Sequence, residues 1–195
     1  MPNPDDFVIT LHQPAWIHEH LANLPGQVAD DTERMALAIE LARLNTEHGT
    51  GGPFGAAVFE SSGRLVAVGV NVVVPDSCSF AHAEMTALGA AQQRLKTYDL
   101  GAEGLPQHEL VTSTEPCAMC MGAVPWSGVR RLVCGARDED ARAVGFDEGP
   151  KIAEWPKELQ ARGIAVVRDV LRDEAAGVLR GYADGGGRIY NSREG

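Results

Sequence analysis

The spacing of apolar residues changes along the chain, and the changes divide it into elements. From Asp31 to about Glu47, Met35, Ala38, Ile39, Leu41 and Ala42 recur near the three-and-four spacing of a helix buried on one side, and Asp31-Thr32-Glu33 marks its start. Gly49-Thr50-Gly51-Gly52-Pro53 ends that period. The apolar runs Phe54 to Glu60 and Leu65 to Val70, separated by Ser61-Ser62-Gly63, predict a hairpin. Helical spacing returns over Ala81 to Leu95, through Met85, Leu88 and Leu95. The pattern then predicts a strand at Glu109 to Ser113, a helix from Cys117 to about Trp126 and a strand at Arg131 to Gly135. A strand over Gly163 to Arg168 and a helix from Asp173 to about Tyr182 follow. Strands alternating with helices imply an α/β fold, a mixed or parallel sheet with helices on both faces.

Ahead of residue 31 this order is lost. Pro14 and Pro25-Gly26 mark breaks, with a short helix expected between Pro14 and Asn23. Residues 1–30 therefore read as an N-terminal extension and 31–195 as the functional domain. His12, His18 and His20 match no metal-ligand spacing and read as surface residues.

At 195 residues and 44% hydrophobic, the chain suits one soluble domain with a real core. No apolar run approaches the roughly 18 residues of a membrane span. Met1-Pro2-Asn3-Pro4-Asp5-Asp6 is acidic with no hydrophobic segment, so a cytoplasmic protein is expected. Seventeen Lys and Arg against 27 Asp and Glu give a net charge of −10, which argues against a nucleic-acid partner. The adjacent pair Arg130-Arg131 reads as solvation of a strand end.

Two short stretches carry chemistry: Ala81-His82-Ala83-Glu84 and Glu115-Pro116-Cys117-Ala118-Met119-Cys120. H-x-E followed by P-C-x-x-C is the signature of zinc nucleobase deaminases. A hydrolytic zinc takes three protein ligands and keeps one position for water, whose pKa it lowers to roughly 7. His82, Cys117 and Cys120 supply three ligands whose charge balances Zn²⁺, and Glu84 remains off the metal as proton carrier. Cys117 and Cys120 share one face of a helix, and Pro116 suits a first helical turn. His82 and Glu84, two residues apart, work together only at a helix entry. The competing reading is a structural Cys₃His zinc site completed by Cys78 or Cys134, in a domain made for interaction.

On these motifs, over about residues 31–190, the chain resembles the cytidine-deaminase superfamily. That resemblance implies a three-layer α/β/α fold around a five-stranded mixed sheet, with the zinc helices after the second and third strands. Within the superfamily the chain is similar to bacterial guanine deaminases, in a branch that includes ammeline deaminases. Gly51-Gly52-Pro53-Phe54, Asn71, Trp126-Ser127-Gly128-Val129, Gly145-Phe146-Asp147-Glu148-Gly149 and Ile189-Tyr190-Asn191 carry the likeness. It implies one zinc per chain and a homodimer. It implies hydrolysis of a free purine base, guanine to xanthine and ammonia, or of an s-triazine such as ammeline. The C-terminal segment would close the chain's own active site or its partner's. Glu84 and Glu148 would be the catalytic proton carriers, and Asn71, Phe54, Asp147, Trp126 and Tyr190 would contact or enclose the base. Phe54 also reads as a strand-start core residue, and Trp126 and Trp155 as core. The rival activities are deamination of cytosine, cytidine or tRNA adenosine.

Overall fold

The computed structural model describes residues 9–22, 27, 28 and 30–191. The acidic N-terminal hexapeptide and the Pro25-Gly26 break lie outside the described residues. β1 (Gly55–Glu60) pairs antiparallel with both β2 (Leu65–Val70) and β3 (His108–Thr114). β4 (Arg131–Ala136) runs parallel to β3, and β5 (Ala165–Val167) parallel to β4. The sheet order is therefore β2-β1-β3-β4-β5, five strands of mixed direction.

Helices cover both faces, and the strands show why. Every residue of β1 and β3 is buried, the pattern of strands sandwiched between layers. On one side Ala56, Val58, Leu110 and Leu132 pack against α3 (Ala83–Leu95), α4 (Ala118–Ser127) and α6 (Trp155–Ala161). On the other, Ala57, Phe59, Val111 and Val133 meet Met35, Ala38 and Leu41 of α2 (Asp31–Glu47). Ile17 of α1 (Trp16–Ala22) and Val28 join this second cluster, so described residues of the first thirty are part of the core. A third cluster joins α5 (Asp138–Ala143) to α7 (Arg172–Asp184) around Phe146, Ala175 and Leu179.

Local chemistry explains most boundaries. Asp30 caps α2, its carboxylate accepting from the Glu33 N–H at 2.9 Å. Gly69 lets α3 lie directly on β2: a Cβ there would sit 2.3 Å from the Ala87 backbone nitrogen. Gly163 turns the chain before the last strand at φ +76° and Asp169 turns it after at φ +67°, so that strand is three residues long rather than six. The helices α5 and α6 were not expected, because six or seven residues are too few to display a helical period. Arg131 is not merely solvating a strand end. Its Nη1 donates to Asp31 Oδ1 and to Glu109 Oε2, both at 2.7 Å, and Arg34 pairs with the same Glu109, which ties α2 to β3 and β4. Among the described residues no helix is long and apolar enough to cross a membrane.

Candidate active site

Two helix entries meet at one end of the sheet. His82 is the N-cap of α3 and Cys117 the N-cap of α4, both in extended conformation. The helix entry expected for His82 and Glu84 is present, with α3 beginning at Ala83. Pro116 does not occupy the first turn of α4; it precedes the cap, and its ring keeps Glu115 extended as the chain leaves β3. The His82 Nδ1 and Cys117 Sγ atoms are 3.5 Å apart, and the donor atoms of His82, Cys117 and Cys120 all lie within 4.8 Å of one another. Bonds of about 2.0 Å to nitrogen and about 2.3 Å to sulfur in a tetrahedron separate such ligands by about 3.5 Å, so the His82–Cys117 separation already suits zinc and the Cys120 sulfur lies close enough to join it. Cys78 and Cys134 are not in this group, and no fourth protein ligand completes it among the described residues.

The electrostatics are those of a crowded anionic site. A hydrogen bond from Cys120 and the neighbouring His82 hold Cys117 down to about 4 against the opposing effect of burial. Cys120 moves the other way, its proton held on Cys117 and its charge disfavoured by burial. Burial works to lower His82, but Cys117 and Glu84 outweigh it and leave it raised. Glu84 is pushed up to about 7 by burial first and then by the Cys117 thiolate. Glu148 is pushed up to about 8 by burial, then by Cys117 and Glu84. Two thiol sulfurs and two buried carboxylates around one point favour a divalent cation, and both carboxylates can hold or release a proton near neutral pH.

Above this cluster lies a cavity of about 170 Å³ lined by His82, Glu84, Cys117, Phe54, Phe146, Asp147, Glu148 and Tyr190. Its walls are aromatic: Phe146 meets Phe54 edge-on at 4.9 Å and Tyr190 at 5.8 Å between ring centres.

The profile of the cytidine and deoxycytidylate deaminase zinc-binding region matches residues 28–136, and the matched span holds all three clustered ligands and Glu84. The chain belongs to that family. It is 37% identical over 136 residues to the guanine deaminase of Bacillus subtilis (strain 168), covering 70% of this chain and 83% of the relative. A solved structure of guanine deaminase from Nitrosomonas europaea is similar at TM-score 0.86 and 50% identity, covering 91% of this chain and 97% of that one. A mutant of NE0047 in complex with 8-azaguanine is similar at TM-score 0.87 and 50% identity, covering 92% and 99%.

In this member of the deaminase family the remaining expected residues divide. Phe54 precedes β1 and lines the cavity. Tyr190 and Asn191, remote in sequence, line it too. Asn71 is buried beside the cavity, its Nδ2 on the Tyr190 hydroxyl and its Oδ1 accepting from the Val73 N–H at 3.3 Å. Asp147 lines the rim, caps the Gly149 N–H at 2.8 Å and is largely exposed. Trp126 corrects the expectation. It is 85% exposed on α4 and borders a separate groove with Met121, Pro125 and Ile152, because α4 turns only its other face to the sheet. Trp155 is buried in the core. Asn45 was not foreseen: buried in α2, it donates to the carbonyls of Gly52 and Asn71, both at 2.9 Å, and so ties the turn before Phe54 to the end of β2 beside the site. Nothing in the spacing of α2 marks Asn45, among its several polar residues, for that role.

Proposed function

We propose that the chain hydrolyses a free purine base, guanine first, to xanthine and ammonia. The observation that carries this reading is the pair of buried carboxylates, Glu84 and Glu148, facing one aromatic-walled cavity beside the His82-Cys117-Cys120 cluster. The similarity to guanine deaminases of Bacillus subtilis and Nitrosomonas europaea, and to NE0047 with 8-azaguanine, supports the choice of base. Zinc, held by His82, Cys117 and Cys120, would supply the Lewis acidity that makes water a nucleophile near neutral pH. Glu84 takes the proton that the attacking water loses and passes it to the ring nitrogen beside the amine-bearing carbon. Glu148 takes the second proton, from the hydroxyl that the water leaves on that carbon, and gives it to the amine, so that the carbon–oxygen double bond forms as the carbon–nitrogen bond breaks and ammonia leaves. Guanine presents N–H donors along this edge, and an ionised carboxylate answers them as acceptor. Phe54, Phe146 and Tyr190 enclose the flat ring and exclude water.

Residues 31–195 form the deaminase domain in this reading, with residues 1–30 as an extension. The resemblance to bacterial guanine deaminases carries a homodimer, and unpaired cysteines suit the cytoplasm. A negative surface and a cavity closed by Tyr190 favour a small base over a polynucleotide. The test is ammonia release by zinc-loaded protein from guanine, ammeline, cytosine, adenine, guanosine and cytidine. Fast release from guanine is expected. Release from cytosine or a nucleoside alone would discard the substrate, and silence on all six would discard the reaction.

A further inference from the structure

Reaching the cavity through Glu115, which lines it, an ion cluster uses none of the residues assigned to the reaction. Lys151 is 6% exposed at its side chain, and its Nζ lies 3.3 Å from Glu115 Oε2 and 3.4 Å from Asp138 Oδ1, and 4.9 Å from the centre of the Trp155 ring. Glu115 is more deeply buried still, and also accepts from Arg168 Nε at 2.6 Å and from the Asp138 N–H at 3.2 Å. The cluster thus grips the loop three residues after Glu148 and the strand end two residues before Cys117. Between these points, the Ala118 N–H donates to the Glu148 carbonyl at 2.9 Å. Burying a lysine and a glutamate costs solvation that an exposed loop would not demand; without Lys151, Glu115 keeps Arg168 on Oε1 but only the Asp138 N–H on Oε2, and the tie to the loop is lost. Phe146 anchors the loop ahead of Glu148, but Pro150, Ile152 and Ala153 behind it are exposed, so between Glu148 and the buried Trp155 the Lys151 ties are what hold the chain down.

We propose that Lys151 is a positioning residue: by bridging Glu115 and Asp138 it sets where the loop holds Glu148 relative to the Cys117 end of α4. This rests on the proton-carrying role of Glu148 stated above. Misplacing a reacting group by about 1 Å costs on the order of 100-fold in rate, so the bridge controls turnover without touching the base.

The experiment compares Lys151→Met and Lys151→Arg, each alone and with Glu148→Gln, in zinc-loaded protein. It reads bound zinc, kcat and KM for guanine, and hydrogen exchange at the backbone amides of residues 118 and 147–151. Lys151→Met should keep its zinc, lose about 10- to 100-fold in kcat with little change in KM, and exchange faster at those amides. Lys151→Arg should restore most of the rate. On the Glu148→Gln background, Lys151→Met should cost almost nothing further. An equal loss on that background, or unchanged exchange in Lys151→Met, overturns the proposal. Should Lys151→Met not fold, Asp138→Asn weakens the bridge from its more exposed end, and the same two outcomes decide. If the wild type releases no ammonia from guanine, the proposed activity fails while the exchange rates still decide whether Lys151 anchors the loop.

Discussion

At the scale of single residues, the proposed reaction turns on two carboxyl groups that burial moves to titrate near neutral pH. Glu84→Gln preserves shape and hydrogen bonding but cannot carry the proton. It should bind zinc stoichiometrically and lose about 100- to 10,000-fold in kcat, seen by metal analysis beside initial rates. Glu148 makes a prediction about stability as well. Its carboxyl is held up to about 8, from an ordinary 4.5, chiefly by burial. In the metal-stripped protein its neutral form contributes fully below about pH 4.5. As pH rises, the unfolded chain ionises first, so that contribution declines until the folded carboxyl also ionises near 8. Glu148→Gln removes this loss. Urea denaturation should show the mutant gaining on the wild type between about pH 5 and about pH 8, by up to a few kcal/mol. A constant difference across that range would contradict it. The metal-binding types and the carboxylate between them were legible because H-x-E and P-C-x-x-C are local in sequence. Asn71 and Tyr190 were legible as candidates, but not the hydrogen bond between them, which spans 119 positions.

At the scale of elements, the site depends on how closely α3 lies on β2. Gly69 is where the two backbones touch, with the Ala83 carbonyl only 2.4 Å from where a Cβ would stand. Gly69→Ala must push the helix outward at its first turns, next to His82. Overpacking of this kind costs about 1–3 kcal/mol. The expected result is a lower Tm together with weaker zinc binding, measured by competition with a chromophoric chelator; a lower Tm with unchanged zinc affinity would show that the helix entry does not move. The long elements were readable because α2, α3 and the hairpin strands are amphipathic or continuously apolar over enough residues to show a period. The short helices α5 and α6 were not, since packing of Ala141, Trp155 and Leu159 stabilises them rather than any local pattern. Arg131 shows the same limit: an arginine at a strand start is ordinary until Asp31 and Glu109 are brought to it.

At the scale of the whole molecule, three apolar clusters hold the layers together, and none of them is built around the metal ligands. In a structural zinc domain the metal supplies the folding energy instead. Chelation should abolish turnover while leaving the far-ultraviolet circular dichroism of a folded α/β protein, and zinc should restore activity without refolding. Collapse of the spectrum on chelation would favour the structural reading.

The division between what could be read and what could not follows from range. The candidate ligands, the candidate proton carrier beside them, the helix entries and the alternation of strands with helices are written in neighbours a few positions apart, where backbone geometry alone places side chains. Which aromatic residues wall the cavity is a matter of contacts across the chain. Tyr190 enters it and Trp126 does not, although both lie next to recognisable motifs, because one segment folds back over the site and the other lies on the outer face of α4. The Lys151-Glu115 bridge and the Asn45 tie belong to the same class. A buried charge or amide is stable only where the fold delivers its partner, and no local spacing announces that delivery.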